Sequence, residues 1–362
     1  MTFWETISNT FSFVPTILLT ILVFGILILV HEFGHYIAAR AFKVGVNEFS
    51  IGMGPKMFQF KGKYNPFTIR WLPIGGYVNM VGETEEEEEA DEEKKKVALN
   101  TKPKWQRFII MIAGVTMNFL LAFIVMFFLV LSMDIYASTT VGAFDEASLS
   151  NSGATELNRL EEGDKILKVN GMRVYVYYEM AYKIMSDGIE PVDILVERDG
   201  KKVLLEGVVF PEQTSQGILF GSVDFKVNGI RKTVGQVLYQ SVFQAVATFR
   251  VTVASLMDTL SGRYGISGVS GPVGVAGEIG EAASAGISSL ASLLVLLSVS
   301  IGVFNLIPLP ALDGGRVLFL IIEAIIRRPL PKKVETAAIT VSMVLLLLLT
   351  AAITLKDITG LF

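Results

Sequence analysis

Four long apolar runs interrupt a chain whose other stretches mix polar and apolar residues as soluble proteins do. The runs lie at 16–39, 108–133, 287–306 and 337–353. Because about 20 apolar residues carry an α-helix across the hydrocarbon core of a bilayer, the pattern predicts four transmembrane helices.

Two stretches between these runs are patterned for strands. In 46–80, short β-prone runs are separated by Gly, Pro and Asn, which predicts two or more hairpin strands. Their aromatic content favours a position in the membrane interface, and a plain cytoplasmic hairpin is the alternative. In 139–211, alternating strands, an Asp-Gly turn at 199–200 and a short helix at 177–185 predict a compact β-rich unit.

Three further segments have simpler interpretations. Residues 235–264 carry apolar side chains at helical spacing, which predicts an amphipathic helix on the outer membrane surface. The Ser-Gly-Pro-Val-Gly sequence at 270–274 lacks the Gly-Lys-Ser/Thr of a phosphate loop, so a tight turn is favoured. The charge run at 83–96 is interpreted as a solvated linker, with calcium binding as the alternative.

Basic residues predict the orientation of the chain in the membrane. Residues 1–15 contain no Lys or Arg, whereas 40–107 contain twelve and 316–333 contain five. By the positive-inside rule the latter two connections are cytoplasmic, while both termini and the 134–286 segment are outside. Since no basic segment precedes the first run, a cleavable signal peptide is not expected.

The amino-acid composition is typical of a membrane protein and limits the kinds of catalytic and metal-binding site that the chain can form. Hydrophobic residues make up 51% of the 362 residues and charged residues 18%, with a mean hydropathy of +0.53. The net charge of −4 argues against nucleic acid as a partner. The absence of cysteine excludes disulfides and thiol catalysis, so any zinc must be bound by histidine and carboxylate.

The only two histidines of the chain stand together near the end of the first run. His31, Glu32 and His35 form an H-E-x-x-H pattern, and on a helix positions i and i+4 share one face. Two such imidazoles can bind one Zn²⁺, and the glutamate between them can activate water. Ionisable groups at membrane depth are costly and indicate function. The pattern predicts a zinc site with Glu32 as the base.

A catalytic zinc needs a third protein ligand, which here must be a carboxylate. The candidate is Asp313, at the predicted cytoplasmic end of the third run, and Glu323 is a weaker one. Pro308 and Pro310 disfavour helix in the residues before them, which predicts unwound backbone where a peptide could pair. The alternative role for Asp313 is a simple helix cap.

Taken together, these motifs resemble the bacterial site-2 protease family (RseP-type), whose members are intramembrane zinc metalloproteases. The resemblance rests on H-E-F-G-H in the first run, a PDZ-like insert, and N-x-x-P-x-P-x-L-D-G-G beginning at Asn305. Segments at 52–55, 73–77, 105–118 and 270–274 also resemble family segments. The chain departs from the family pattern in two ways. Val115 stands where the family motif G-P-x-x-N has proline, and the insert has room for one PDZ module, whereas many members carry two.

The resemblance implies His31, His35 and Asp313 as zinc ligands and Glu32 as the base. It also implies that Asn305 contacts the substrate backbone and that the 46–80 region presents a strand edge to an unwound substrate. The predicted substrate-binding residues are therefore Asn305 together with glycines and prolines of these segments: Gly52, Gly54, Gly75, Gly76, Pro308 and Pro310.

The predicted fold is an α-helical polytopic membrane protein with four transmembrane helices, a membrane-associated β-hairpin region and one β-rich PDZ-like extracytoplasmic domain. Its predicted segments are the first helix with the zinc motif (1–45), the hairpin region (46–82), a charged cytoplasmic linker (83–104), the second helix (105–134), the PDZ-like domain (135–221), an extracytoplasmic amphipathic helix with a Gly-rich loop (222–286), and the last two helices with the LDGG motif (287–362).

The predicted function is zinc-dependent hydrolysis of peptide bonds within or near transmembrane segments, in the bacterial inner membrane, with the active site toward the cytoplasm. Expected partners are the lipid bilayer and transmembrane or signal-peptide substrates, such as anti-sigma factors or remnant signal peptides. The PDZ-like domain is expected either to gate by size or to bind peptide.

Three other functions compete with this one. They are a membrane-anchored protease acting on soluble proteins, a metal transporter, and an idle scaffold. A soluble substrate predicts a motif outside the membrane, and transport predicts several metal-binding side chains along a pathway, whereas this chain has no further His and no Cys. The intact Glu32 and Asp313 argue against the scaffold.

Overall fold

The structure, a computed structural model, describes residues 3–62, 65–82, 96–144, 148–151, 158–215, 218–263 and 269–359. It divides into two compact units, Met1–Ala122 with Ser270–Phe362, and Phe123–Val269. Nearly all of the charge run predicted as a linker lies outside the described residues.

The first unit consists of apolar helices and one small sheet. Its helices are α1 (Phe3–Ala41), the first part of α2 (Lys104–Ser132), α5 (Pro272–Ala285), α6 (Ile287–Asn305), α7 (Asp313–Ile326) and α8 (Lys332–Thr359). Within the described residues, four segments are long and apolar enough to span a membrane: Val14–Ala41, Lys104–Ser132, Ile287–Asn305 and Lys332–Thr359. The four predicted apolar helices are therefore confirmed.

The outward faces of these helices are apolar. Leu18, Leu22, Leu345 and Leu348 each expose more than half of their surface. Exposed leucines along helices of this length and composition suit contact with lipid. Polar side chains such as His31 instead lie buried among the helices.

The sheet of the first unit is built from β1 (Val46–Lys61) and β2 (Pro66–Met80). Phe49 pairs with both Val78 and Phe67, and Phe60 also pairs with Phe67. Since a strand residue has one neighbour on each side, four strand segments lie side by side in the order 76–80, 46–51, 66–69 and 58–61. The prediction of two or more hairpin strands is confirmed.

Glycines form the bends that break β1 and β2 into these segments. Gly52, Gly54 and Gly75 have φ angles of 85°, 84° and 82°, a region that L-residues rarely adopt. The sheet then packs on the end of α1 through a cluster of buried side chains: Ala38, Ala39, Val44, Val46, Phe49, Val78, Met80, Leu99 and Ile110. This packing holds the 76–80 segment against the helix that carries the histidines.

The described part of the second unit contains the end of α2, a sheet with a path of five strands, and two further helices. Its strands are β3 (Ile135–Phe144), β4 (Lys165–Val169), β5 (Met172–Arg173), β6 (Val192–Arg198), β7 (Lys201–Val208), β8 (Glu212–Ser215), β9 (Ile218–Gly221) and β10 (Phe225–Arg231), and its helices are α3 (Tyr177–Asp187) and α4 (Val234–Leu260). The strand order is β10-β3-β4-β6-β7, β5 pairs with β4, and β8 pairs with β9.

The predicted strands and helix at 177–209 correspond to α3, β6 and β7. The sheet, however, continues past the predicted boundary at residue 221, because β10 pairs with β3 from Phe225 to Arg231. The predicted amphipathic helix is α4, which packs on α3 through an ion pair between Arg250 and the fully buried Glu179. The resemblance of this unit to a PDZ domain stays a prediction.

The Gly-rich segment at 270–274 begins a helix that sequence analysis did not predict. The backbone N–H groups of Gly271 and Gly274 donate to the Asp357 carboxylate, each at 2.9 Å. A Cβ on Gly271 would lie 2.7 Å from Asp357 Oδ2, so the close approach requires glycine. The carboxylate of α8 thus caps the N-terminus of α5, where the helix dipole favours negative charge.

We expect Asp357→Ala to lower the free energy of unfolding by about 1–2 kcal/mol, because two helix N–H groups lose their acceptor. The measurement is chemical denaturation in detergent micelles. Thr354→Ala is the matched control on α8, since this hydroxyl bonds only to the Thr350 carbonyl of its own helix. Equal stability of the two variants would contradict the capping role.

Candidate metal centre

Helix α1 places two histidines on one face in the interior of the first unit. His31 and His35 are each 7% exposed, and their Nε2 atoms lie 3.3 Å apart. The helix runs without interruption through both positions, so the predicted i, i+4 arrangement is present.

The Asp313 carboxylate reaches these imidazoles from a tight connection between two helices. Helix α6 ends at Asn305 and α7 begins at Asp313. A Cβ on Gly314 would lie 2.4 Å from the backbone oxygens of Leu306 and Ile307, so the two glycines after Asp313 permit the reversal. The Asp313 side chain turns toward the imidazoles, which distinguishes it from a simple helix cap.

The three side chains fit a zinc ion. Asp313 Oδ2 lies 2.9 Å from His31 Nε2 and 3.1 Å from His35 Nε2. Zinc bonded tetrahedrally at about 2.0–2.2 Å holds its ligand atoms roughly 3.3–3.5 Å apart, so small displacements would accommodate the ion. Two imidazoles and one carboxylate are the donors that zinc takes in hydrolytic sites.

Glu32 lies beside this cluster and is held by the sheet. Its carboxylate accepts a hydrogen bond from the backbone of Val78, in the 76–80 segment. A Cβ on Gly76 would lie 3.4 Å from Glu32 Cγ and 2.9 Å from the Ser50 carbonyl oxygen, so the close contact between sheet and helix depends on glycine. The sheet therefore limits where the Glu32 carboxylate can point.

A cavity of about 460 Å³ brings the predicted catalytic groups together. Its lining comes mainly from the α1 motif, one sheet edge, the start of α2, and the α6–α7 connection with the first turn of α7. It includes Glu32, Tyr77, Val78, Asn79, Ile110, Met111, Asn305, Leu312, Asp313 and Arg316. Asn305 thus lies in the same cavity as the metal ligands. The wall at 77–80 is a strand segment whose inner neighbour is β1.

The other predicted substrate-binding residues are placed differently. Gly76 contacts Glu32, whereas Gly52, Gly54, Gly75, Pro308 and Pro310 are not among the described residues that line the cavity. The first three form the bends of the sheet, as their positive φ angles show. The two prolines lie in the non-helical connection between α6 and α7, as predicted from their chemistry.

Glu323, the weaker candidate ligand, has a different role. Its carboxylate pairs with Arg107 Nη1 at 3.0 Å, and Lys104 Nζ donates to its backbone oxygen at 2.8 Å. Glu323 therefore joins α7 to the start of α2 and is not part of the histidine cluster.

A polar network fixes the sheet edge beside the site. Arg70 Nη2 donates to Glu48 at 2.9 Å and to the Tyr77 hydroxyl at 2.5 Å, and its Nε donates to Ser50 Oγ at 2.9 Å. Burial alone would raise the pKa of Glu48, but hydrogen bonds from Thr68 and Arg70 hold that pKa below its ordinary value. The network ties the 76–80 segment to its neighbours.

Gly114 is a site residue that sequence analysis quoted only as part of a family segment. A Cβ there would lie 2.4 Å from His35 Nε2 and 2.8 Å from His31 Nε2. Where α1 and α2 cross, Gly34 is equally close, since its Cβ would lie 2.3 Å from the Ala113 carbonyl oxygen. Small residues at helix crossings are the signal that could have indicated this contact.

Arg316 and Asn118 are two further residues that sequence reasoning did not assign. Arg316 follows Asp313 by about one helical turn and lines the cavity. Asn118 is fully buried on α2, where its amide faces His31. An amide side chain within the uncharged 108–133 run is the available signal, because polar groups in such helices are costly.

The site and its relatives define a zinc metalloprotease. A protein from Fusobacterium nucleatum is 35% identical over 353 residues, covering 96% of this chain and 99% of its own length. A Clostridium perfringens protein is 34% identical over 351 residues, covering 94% and 98%. A Staphylococcus aureus protein is 28% identical over 430 aligned positions, covering 96% and 99%. Each bears the name "Putative zinc metalloprotease".

The sequence profile described as Peptidase family M50 matches residues 19–349. The chain belongs to this family, which is zinc-dependent and comprises the site-2 proteases, so the resemblance seen in the sequence and the expected zinc cofactor are both confirmed. Together with its four apolar helices, the family makes the chain a multi-pass membrane protein.

We expect Gly114→Ala to remove most of the zinc bound by the purified protein, because the added methyl group would displace the imidazoles of His31 and His35. Metal content measured by mass spectrometry tests this. The matched control is Gly25→Ala in α1, where a Cβ meets nothing within 4 Å. Zinc content equal to that of the control would contradict the predicted contact.

Proposed function

We propose that this protein is an intramembrane endopeptidase that hydrolyses peptide bonds within or near transmembrane segments of other membrane proteins. In it, His31, His35 and Asp313 hold zinc, and Glu32 is the general base. The observation that carries the proposal is that the histidines lie inside the candidate span Val14–Ala41, with their cavity between apolar helices and a sheet edge. A substrate that reaches this cavity from the bilayer must itself be a membrane segment.

The catalytic roles of the zinc site and of Glu32 follow from their positions in the cavity. When bound, zinc supplies Lewis-acid activation of water and of the scissile carbonyl. Glu32 takes the proton of the attacking water and passes it to the leaving amine, a contribution of typically 10²–10⁴-fold. The hydrogen bond from the Val78 backbone keeps the Glu32 carboxylate turned toward the cavity.

Asn305 is proposed to stabilise the charge that develops on the scissile oxygen. It ends α6 and lines the cavity that also holds the ligands. An amide N–H that donates to a developing oxyanion contributes roughly 2–4 kcal/mol to the lowering of the barrier. This role requires only that Asn305 Nδ2 face the substrate carbonyl.

The sheet edge supports a mode of substrate binding. A transmembrane helix satisfies its own backbone hydrogen bonds, which shields its peptide bonds from attack. The 77–80 wall offers strand backbone to an extended peptide, so main-chain pairing would compensate for unwinding. Selectivity would then depend more on how easily a segment unwinds than on its side chains.

The setting of the reaction is proposed from the charge pattern and the family resemblance. The protein would lie in the bacterial inner membrane with both termini outside and the site toward the cytoplasm. Substrates would be membrane-spanning anti-sigma factors or remnant signal peptides. The β-rich second unit would be a PDZ-like domain that excludes long external segments or binds a peptide.

A metal transporter is the second candidate and has less support. In the part of the chain that the structure describes, His31, His35 and Asp313 form a single cluster of metal-binding side chains. Transport would need further ligands along a path, whereas one site beside a glutamate suits hydrolysis.

We expect Glu32→Gln to retain zinc and to lower cleavage of a reporter transmembrane segment by at least about 10²-fold, because the base is lost while the ligands remain. The assay uses purified protein in liposomes, with zinc content measured on the same sample. Asp313→Ala is the companion variant and should lower zinc content itself. Unchanged cleavage by Glu32→Gln would refute the assignment of the base.

We expect a reporter segment with a central Gly-Pro pair to be cleaved faster than the same segment with Leu-Leu. Gly and Pro cost a helix about 1 and 3 kcal/mol respectively relative to Ala, so the first reporter unwinds more easily. Initial rates for the two reporters provide the measurement, and Glu32→Gln supplies the background rate for each. Equal rates would contradict selection by unwinding.

A further inference from the structure

The two histidines must present the same ring nitrogen to the metal. Nε2 of His31 and Nε2 of His35 are the atoms that converge on Asp313 Oδ2. A nitrogen that binds a metal cannot carry a proton, so each neutral imidazole must carry its proton on Nδ1. The groups that face the two Nδ1 atoms therefore decide whether the site is ready for zinc.

For His35 this partner is part of the backbone. Its Nδ1 lies 2.8 Å from the carbonyl oxygen of Ile110, which can only accept a hydrogen bond. The proton on His35 Nδ1 is thereby fixed, and Nε2 is left free.

For His31 the facing group is the side-chain amide of Asn118. Asn118 is fully buried, and its Nδ2 is assigned to the position 3.3 Å from His31 Nδ1. Its Oδ1 has no hydrogen-bond partner among the described residues. The two ends of an amide have nearly the same shape, so their orientation is assigned from the hydrogen bonds they make.

The two orientations of this amide have opposite consequences for His31. If Nδ2 donates to Nδ1, the imidazole proton must sit on Nε2, the atom needed for the metal. If the amide is turned by 180°, Oδ1 accepts a hydrogen bond from Nδ1–H and Nε2 is free. In the orientation that places Nδ2 next to His31, Oδ1 has no partner among the described residues, so no bond to that oxygen favours this orientation.

We propose that Asn118 is the positioning residue for His31: its Oδ1 accepts a hydrogen bond from Nδ1–H, which fixes the tautomer and the ring plane so that Nε2 binds zinc. The inference rests on the ligand set proposed above. Ile110, Gly114 and Asn118 follow one another at intervals of four on α2, and all three meet the imidazoles. One face of α2 thus supplies a hydrogen-bond acceptor for each imidazole, at Ile110 and Asn118, and at Gly114 the space that the two rings occupy.

The position of Asn118 is itself held by a neighbouring helix. Ser298 Oγ on α6 donates to the Asn118 backbone oxygen at 2.8 Å, and Ser298 is fully buried. This bond anchors the backbone without contacting the imidazole. Ser298→Ala is therefore a control for changes that loosen α2 but leave the amide in place.

The test compares Asn118→Asp with Asn118→Leu by competition between purified protein and a chelator for zinc. Asp keeps the size and offers only acceptors, whereas Leu offers none. We expect Asp to bind zinc about as tightly as the natural residue and Leu to bind it about 10–100-fold more weakly. Asn118→Ala repeats the loss of the acceptor with a smaller side chain, in case Leu prevents folding.

The visible absorption spectrum of the cobalt-substituted protein separates positioning from general destabilisation. Loss of the acceptor should alter the ligand-field bands, while Ser298→Ala should leave them unchanged. Unaltered zinc affinity in both Leu and Ala variants would overturn the inference, and so would an Asp variant as weak as Leu. Because the readout needs no substrate, it is independent of the proposed proteolysis, and Asp313→Ala separately tests the ligand set.

Discussion

The close crossing of α1 and α2 is the constraint on which the site depends. Gly34 and Gly114 remove the two Cβ atoms that would keep the helices apart, so the imidazoles lie against the backbone of α2. At this separation the Ile110 carbonyl oxygen can accept a hydrogen bond from His35 Nδ1–H. A site of charged and polar groups inside apolar helices is costly, and close packing offsets that cost by satisfying each group.

The sheet and the α6–α7 connection form the non-helical walls of the cavity beside the metal ligands. Both are non-helical segments whose backbone is exposed beside the ligands, one as a strand edge and the other as a proline-containing turn. Irregular backbone at membrane depth is tolerated only where it is buried in protein or lines a cavity. These two segments therefore place backbone hydrogen-bonding groups beside the cavity, where the proposed extended substrate would bind.

Sequence reasoning was strongest where chemistry left few choices. With two histidines and no cysteine, the third ligand had to be a carboxylate, for which Asp313 was the candidate and Glu323 the weaker one, and the apolar runs predicted the four helices. Sequence reasoning could not identify which residue each glycine contacts, because a glycine in an apolar helix is compatible with many different neighbours. The bends at Gly52 and Gly54 and the pairing of β10 with the distant strand β3 are likewise visible only in the structure, and the role of these two glycines in substrate binding stays a prediction.

The separation of the ligands along the chain has a consequence for biosynthesis. His31 and Asp313 are 282 residues apart, and α5, which packs on α1, is capped by Asp357 near the end of α8. During translation the first helix enters the membrane long before its carboxylate partner exists. A nascent chain therefore carries an incomplete metal site, and the three ligands cannot come together until the chain has been made at least as far as Asp313.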